Sequence, residues 1–368
     1  MPNSKLFRIG YGIIILLVII YLSTKVNFIF RPLQVFFTTL FFPFLISGVL
    51  YYLFRPVVFY LHKRKVPKVL SILLIYSLFI GLLTLGVFMI GPELQQQFNS
   101  LINNFPLLTE TFKEKVISLQ QNEWLSRFEK NQYVTIENIS NYVRDYFNSN
   151  VADFGKKISG ILGVVTSIIT IIVTVPFIVF YLLKDSEGAS NNVLKYLPYF
   201  QAKEARKIFK DMDSALSSYI QGQAVVCFLV GVMMYIGYLV IGIEYSLILA
   251  FVAMFTNVIP FIGPFIAIVP ALIIGFIDSP FMALKVMLVA VIVQQIDGNI
   301  TSPYIMGKRL DIHPLTIILI LLVAGSLGGL LGMILAVPFY AVMKVIISHA
   351  YRLYRLNKDQ KEEIIKLD

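Results

Sequence analysis

Charge is what this 368-residue chain has least of: only 14% of it is Asp, Glu, Lys or Arg, against 57% apolar. A soluble globule of this length would carry charge on roughly a quarter of its residues. A water-soluble fold is therefore excluded, and the chain reads as an all-α, polytopic integral membrane protein. A single cysteine excludes a disulfide framework and any cysteine-rich metal site, and three scattered histidines without H-E-x-x-H leave no zinc centre to build. No G-x-x-x-x-G-K-[ST] loop is present, so the phosphate cradle of an ATP-driven pump is missing. No cofactor, metal or catalytic residue is expected, because no nucleophile, acid and base fall at one membrane depth. The chain is read as a non-enzyme. The net charge of +10 is assigned to cytoplasmic loops facing anionic lipid, not to nucleic acid.

What the sequence does have is long charge-free runs. An ionised side chain at the bilayer centre costs at least ~2.5–3.5 kcal/mol, and roughly 20 apolar residues cross the hydrocarbon. Runs of that length lie at Pro32–Phe54, Val69–Pro92, Ile158–Leu183, Ile220–Ile243, Tyr245–Ile277 and Pro314–Met343. Shorter ones lie at Ile9–Thr24 and Val286–Ile296, so about seven or eight transmembrane helices are expected. The basic cluster Lys63, Arg64, Lys65 and Lys68, the stretch from Lys184 to Lys210 and the tail from Lys344 are rich in Lys and Arg, which places them in the cytoplasm together with both termini. This is the pattern of a multi-pass protein of the cell membrane.

Five regions follow: N-terminal spans over 1–91, an extracytoplasmic helical arm over 92–157, a span plus a cytoplasmic amphipathic helix over 158–221, a C-terminal transport region over 222–349, and a basic tail over 350–368. In the arm, Leu94, Phe98, Leu101, Phe105, Leu108 and Phe112 recur at helical spacing, with Pro106 expected to break the stripe. The stripe packs either within a helical hairpin or on a neighbouring subunit. A second amphipathic helix near Ile208, Met212, Ala215 and Tyr219 is expected to lie on the inner leaflet.

Chemistry concentrates in the last 150 residues. Asn257, Pro260, Gly263 and Pro264 interrupt a 33-residue charge-free run. Two prolines and a glycine release backbone groups that hydrocarbon cannot satisfy, so the break needs protein or a water-filled cavity around it. A plain hairpin turn at Gly263-Pro264 is the alternative. Gln294, Gln295, Asp297 and Asn299 end an apolar segment and form either an interfacial cap or a polar site. As a site, Asp297 is the candidate exchanging carboxylate and the amides supply neutral oxygens. Lys308 is the cation that could instead hold Asp297 in a fixed pair. His313 precedes Pro314 as an interface cap or a titrating group. Gly325, Gly328, Gly329 and Gly332 then allow close helix approach or a re-entrant turn.

Taken in order, N-x-x-P-x-x-G-P at Asn257–Pro264, Q-Q-x-D-x-N-x-x-x-P-x-x-x-G-K at Gln294–Lys308, H-P-L at His313–Leu315, the glycine cluster and A-V-P at Ala336–Pro338 resemble the AI-2E family of transporters. Asp297 stands where the family more often carries glutamate, one methylene longer. The resemblance implies a secondary transporter that exports a small polar solute such as autoinducer-2 or exchanges Na+ or Li+ for H+. It also implies a homo-oligomer, with the pentamer as the candidate state, in which the arm stays fixed while the region around Asn257, Asp297 and Gly329 moves. The competing class is a non-transporting oligomeric membrane scaffold acting through its outer arm. Partners are the lipid bilayer and a small polar solute or monovalent cation, with no nucleic acid.

The topology is open to a direct check. Cysteines introduced by Glu123→Cys and Lys361→Cys should react differently with an impermeant maleimide in intact cells, the first labelled and the second protected. Equal labelling would refute the assignment.

Overall fold

The computed structural model describes residues 27–120, 161–185, 199–306 and 313–367, together with positions 10–12, 14, 15, 17, 18 and 21. Every regular element among them is a helix. In chain order these are α1 (Asn27–Lys63), α2 (Lys68–Gln120), α3 (Ile161–Lys184), α4 (Tyr199–Ile241), α5 (Ser246–Thr256), α6 (Ile262–Asp278), α7 (Pro280–Ile296), a π-helical turn at Asp297–Thr301, α8 (Ser302–Met306) and α9 (Pro314–Leu367). Five stretches are long and apolar enough to cross a bilayer: Gln34–Lys63, Lys68–Phe112, Glu204–Ile241, Pro280–Ile305 and Pro314–Arg352. Shorter apolar helices lie at Ile171–Lys184, Ser246–Thr256 and Ile262–Asp278. Side chains such as Val87, Phe88 and Met89 project outward at 68–80% exposure, which only a hydrocarbon solvent tolerates in such numbers. The protein is an all-α polytopic membrane protein.

Two compact units divide the chain. One comprises Met1–Tyr51 and Leu162–Leu183, in which Ser47 is fully buried and donates its hydroxyl to the Val175 carbonyl at 3.4 Å. The other comprises Tyr52–Ile161 and Lys184–Asp368 and holds the motif-bearing half.

The core of the second unit is built on α4. Val226, Val230, Met234 and Tyr238 recur at four-residue steps along it and are buried against Leu249, Ala250 and Ala253 of α5, Ala267, Ala271 and Ile274 of α6, and Val286, Ala290 and Val293 of α7. Small residues set the spacing: Gly231 lies against Met254 and Gly237 against Val289. α4 also runs without a break from Tyr199 to Ile241, so the amphipathic stretch around Ile208 continues the span instead of forming a separate surface helix. Its polar face explains why: Asp211 meets His349 Nε2 at 2.8 Å, Asp213 pairs with Arg55 at 2.6 Å, and Gln221 donates to the Tyr52 carbonyl at 2.7 Å. These partners hold the extension in line with the span.

The α2 helix brings a correction. Pro106 does not break it, for α2 runs from Lys68 to Gln120 with Pro92 and Pro106 both inside. A proline removes one intrahelical hydrogen bond and kinks a helix, and neighbouring packing can compensate. Here the neighbours are α5 and α6. Leu101 and Leu108 rest on the α4–α7 core, Phe112 meets Phe276 edge-on at 5.7 Å, and Gln97 Oε1 accepts from the Ile248 amide at 3.3 Å. Asn104 donates to Tyr245 Oη at 3.2 Å, and Lys115 Nζ donates to the carbonyls of Ile277 and Asp278. The described part of the stripe therefore packs on its own chain. A cation at the exposed carbonyls closing α6 also complements the helix dipole.

α5 and α6 form a hairpin whose helices are too short to span separately. With 11 residues, α5 rises about 16 Å, half of a hydrocarbon core of roughly 30 Å. A second hairpin is hidden inside α9, where Gly329 adopts φ 58, ψ −143 and turns the chain back. Gly263 in the first hairpin and Gly332 in the second play the same part. A Cβ on Gly263 would overlap the Thr256 carbonyl, and one on Gly332 would overlap the Ala324 carbonyl. Backbone cannot yield as a flexible side chain can. Gly263→Ala and Gly332→Ala should each destabilise by about 1–3 kcal/mol or more, while Gly328→Ala, with no atom within 4 Å of its Cβ, should be tolerated. Thermal unfolding of the detergent-solubilised variants tests the ranking, and equal midpoints for Gly263→Ala and Gly328→Ala would contradict it.

Candidate functional site

The two hairpins enter the second unit from opposite ends. The first has its open end at Tyr245 and Asp278, beside the C-terminal end of α4. The second returns toward His349, which is paired with Asp211 some thirty residues nearer the N-terminal end of α4, about 45 Å away along the helix. The first tip rests on the second hairpin. Ile259 of the first is buried with Leu321 and Ala336 of the second, and Ile262, Ala324 and Met333 pack around them.

The first tip is made by residues that cannot continue a helix. Asn257 closes α5 with its amide on the Ala253 carbonyl at 3.1 Å, Pro260 has no N–H to offer, and Phe261 sits at φ 64. Pro264 falls in the first turn of α6, where its missing N–H costs no intrahelical bond. The C-terminal end of α5 and the N-terminal end of α6 thus present opposed partial charges at the tip. Asn257 is 3% exposed. Its carbonyl accepts from Gln223 Nε2 of α4 at 2.6 Å, while its own Nδ2 is buried with no hydrogen-bond partner among the described residues.

The polar end of α7 lies around the same part of α4. Gln223 Nε2 is also 3.8 Å from Cys227 Sγ one turn on, and the π-helical turn packs on α4. Asp297 opens the π-helical turn, is half-buried, and accepts from Ser302 Oγ at 3.0 Å. π-Turns insert an extra residue into a helix and recur at functional sites. Gln294, one turn before Asp297, has a buried Nε2 without a partner among the described residues. Gln295 and Asn299 behave differently. Both are exposed, and Asn299 Nδ2 donates to the Gln295 carbonyl at 2.9 Å and to its Oε1 at 2.8 Å.

The expected site residues therefore separate. Asn257 meets Gln223, which lies one turn from Cys227, and Asp297 opens the π-helical turn that packs on α4, whereas Gln295 and Asn299 satisfy one another at the surface. Pro260, Gly263 and Pro264 shape the first tip, and Gly325, Gly329 and Gly332 shape the second, with Gly325 facing Met333. His313 is exposed and its Nδ1 accepts from the Leu315 amide at 3.3 Å, at the start of α9. Lys308 lies outside the described residues. Gln223 was missed by sequence reasoning, though one signal was available: with Gln221 it is one of two side-chain amides in the charge-free run from Ile220 to Ile243. Among the described residues no three His, Cys, Asp or Glu side chains converge as a metal site would require. An apolar cavity of about 600 Å³ between Gly91–Phe98 and Ile248–Thr256 has no titratable lining and is distinct from this cluster.

With the two hairpins and the buried Asn257–Gln223 contact in place, the match to known sequences has a physical counterpart. The AI-2E family transporter pattern covers residues 12–352. This chain belongs to the AI-2E transporter family. It is 46% identical to YueF of Bacillus subtilis (strain 168) over 99% of this chain and 98% of that one, and 35% identical to YrrI of the same organism over 96% and 98%. PerM of Escherichia coli (strain K12) is 28% identical over 86% and 88%. The first two are provisionally named transport proteins and the third a permease. The AI-2E motifs noted above thus fall on the two tips, the π-helical turn and the start of α9.

An unpartnered buried donor lowers stability by about 1–3 kcal/mol relative to an apolar group of the same shape. Asn257→Leu should therefore raise the thermal midpoint of the purified protein, while Asn299→Ala, which removes an exposed local bond, should lower it by less than about 1 kcal/mol. A lower midpoint for Asn257→Leu would show that Nδ2 is satisfied in the folded chain.

Proposed function

We propose that this AI-2E family member is a secondary-active transporter of the cell membrane, exporting a small polar solute such as autoinducer-2 or exchanging Na+ or Li+ for H+. The observation that carries the reading is the seating of the first hairpin tip on the second hairpin beside Asn257, whose buried Nδ2 has no partner among the described residues. A merely structural turn would have been filled by apolar packing. Two half-spanning hairpins entering from opposite ends leave only a short barrier on either side of such a cluster, and movement of the tips would expose it alternately.

Asp297 is the coupling carboxylate in this scheme, titrating as the site exchanges a proton for its cargo. Gln294 and Asn257 orient the cargo. The hydrogen bonds from Gln97, Asn104 and Lys115 tie the described part of the arm to the first hairpin, so arm and hairpin travel together instead of one staying fixed. Homo-oligomerisation, with the pentamer as the candidate state, and cytoplasmic placement of both termini belong to the same proposal.

Asp297→Asn keeps shape and most hydrogen bonding while removing the titration. In proteoliposomes bearing a pH gradient, loaded in parallel with Na+, Li+ or autoinducer-2, the variant should lose gradient-driven flux while expression and oligomer mass stay unchanged. Wild-type pH dependence in Asp297→Asn would refute its role, and loss of folded protein would assign Asp297 to a structural pair.

A further inference from the structure

The break between α5 and α6 releases backbone groups, and the tip satisfies nearly all of them from within. The Ala253 and Phe255 carbonyls accept from Asn257 and Val258, the Thr256 carbonyl from Ile259, the Ile259 carbonyl from Gly263, and the Pro260 carbonyl from Ile262. The Asn257 carbonyl takes its donor from outside the tip. In a continuing helix it would accept from the amide of residue 261, but Phe261 at φ 64 turns that amide away. Its hydrogen bond comes from another helix, through Gln223 Nε2 at 2.6 Å, and Gln223 is itself 93% buried. The hydrogen bond joining the tip to α4 is therefore a single side-chain contact at the residue that carries the unpartnered Nδ2.

We propose that Gln223 is the positioning residue that latches the first hairpin tip to α4, and that releasing its bond to the Asn257 carbonyl opens the polar cluster. This rests on reading the tip as the moving gate of a transporter. The latch suits a gate because one bond worth about tenfold in an equilibrium can be broken and remade repeatedly, whereas a tip held by several could not open within a transport cycle. Behind it, one turn along α4, lies Cys227, 6% exposed and the sole cysteine of the chain. Its thiol is a built-in reporter of whether the tip is closed.

The test is the rate at which N-ethylmaleimide labels Cys227 in the purified full chain. Gln223→Leu preserves bulk but cannot donate, and should label about tenfold faster than wild type. Gln223→Glu supplies a control within one folded sample, since a neutral carboxyl donates to the carbonyl and a carboxylate repels it. The titratable groups near this turn are Tyr219 and Cys227 on α4 and Asp297 on the π-helical turn, and residue 223 itself touches the thiol, so each rate is divided by the thiolate fraction read from ultraviolet absorbance before the ratio to wild type is taken at each pH. That ratio should approach one in acid and the Gln223→Leu value in alkali. Equal labelling of Gln223→Leu and wild type, or a Gln223→Glu ratio independent of pH, as a packing defect would produce, overturns the proposal. Labelling needs no transported solute, so the two readings fail separately: absent flux with the expected labelling refutes transport alone, and Asp297-dependent flux with unchanged labelling refutes the latch alone.

Discussion

Hydrocarbon offers no hydrogen bonds, and that constraint organises the motif-bearing half of this protein. Each backbone group freed by a helix break inside a bilayer must find a partner in the chain, at a cost of several kcal/mol if it does not. The break at Asn257–Phe261 meets this demand in two ways. Local turn bonds satisfy the carbonyls of Ala253, Phe255, Thr256, Ile259 and Pro260, and Gln223 of α4 reaches across to that of Asn257. The second break, at Gly329, is made possible by the one residue type that adopts its backbone angles without strain. The glycines at 263 and 332 then allow each returning helix to approach the carbonyl end of the helix before it.

From that arrangement the polar chemistry follows. Once a tip is buried within the protein, an amide on it is removed from water, and so are the groups it faces. Asn257 Nδ2 and Gln294 Nε2 are buried without partners among the described residues, whereas Gln295 and Asn299, only a few residues from Gln294 in sequence, bond to one another on an exposed face. Burial distinguishes the two pairs, and helical periodicity determines burial: 294 and 297 share one side of α7 and its π-helical continuation, while 295 and 299 share another. Asp297 lies between solvent and core, with one oxygen held by Ser302.

The C-terminal stretch of α2 illustrates a different balance. Its two prolines argue against a continuous helix, yet contacts from Leu101, Leu108, Phe112 and Lys115 to α5, α6 and the core outweigh the local loss. A proline inside a helix forfeits one hydrogen bond and about 3 kcal/mol, which burial of two leucines and a phenylalanine is sufficient to offset. For the same reason the N-terminal end of α4 continues its span. Arg55, Tyr52 and His349 supply partners along its polar face, so that face has no need of a lipid surface.

The amino-acid sequence alone determined the solvent, the helical class and the places where helices must fail. These depend on local quantities: charge per residue, run length, and the backbone limits of proline and glycine. Asn257 and the glycines from 325 to 332 were legible for that reason, as polar or flexible residues in apolar runs too long for one span, and Asp297 as a carboxylate among amides ending a shorter run. Only the tertiary structure decided which of them meet. That the first tip rests on the second hairpin through Ile259 and Leu321, that Gln223 and not a nearer residue serves the first break, and that the α2 stripe rests on the α5–α6 hairpin all depend on contacts between segments 34 to 163 residues apart. Periodicity names the face a helix will bury, but the partner for that face is chosen by packing among several helices of nearly equal hydrophobicity, and no local feature of the chain records that choice.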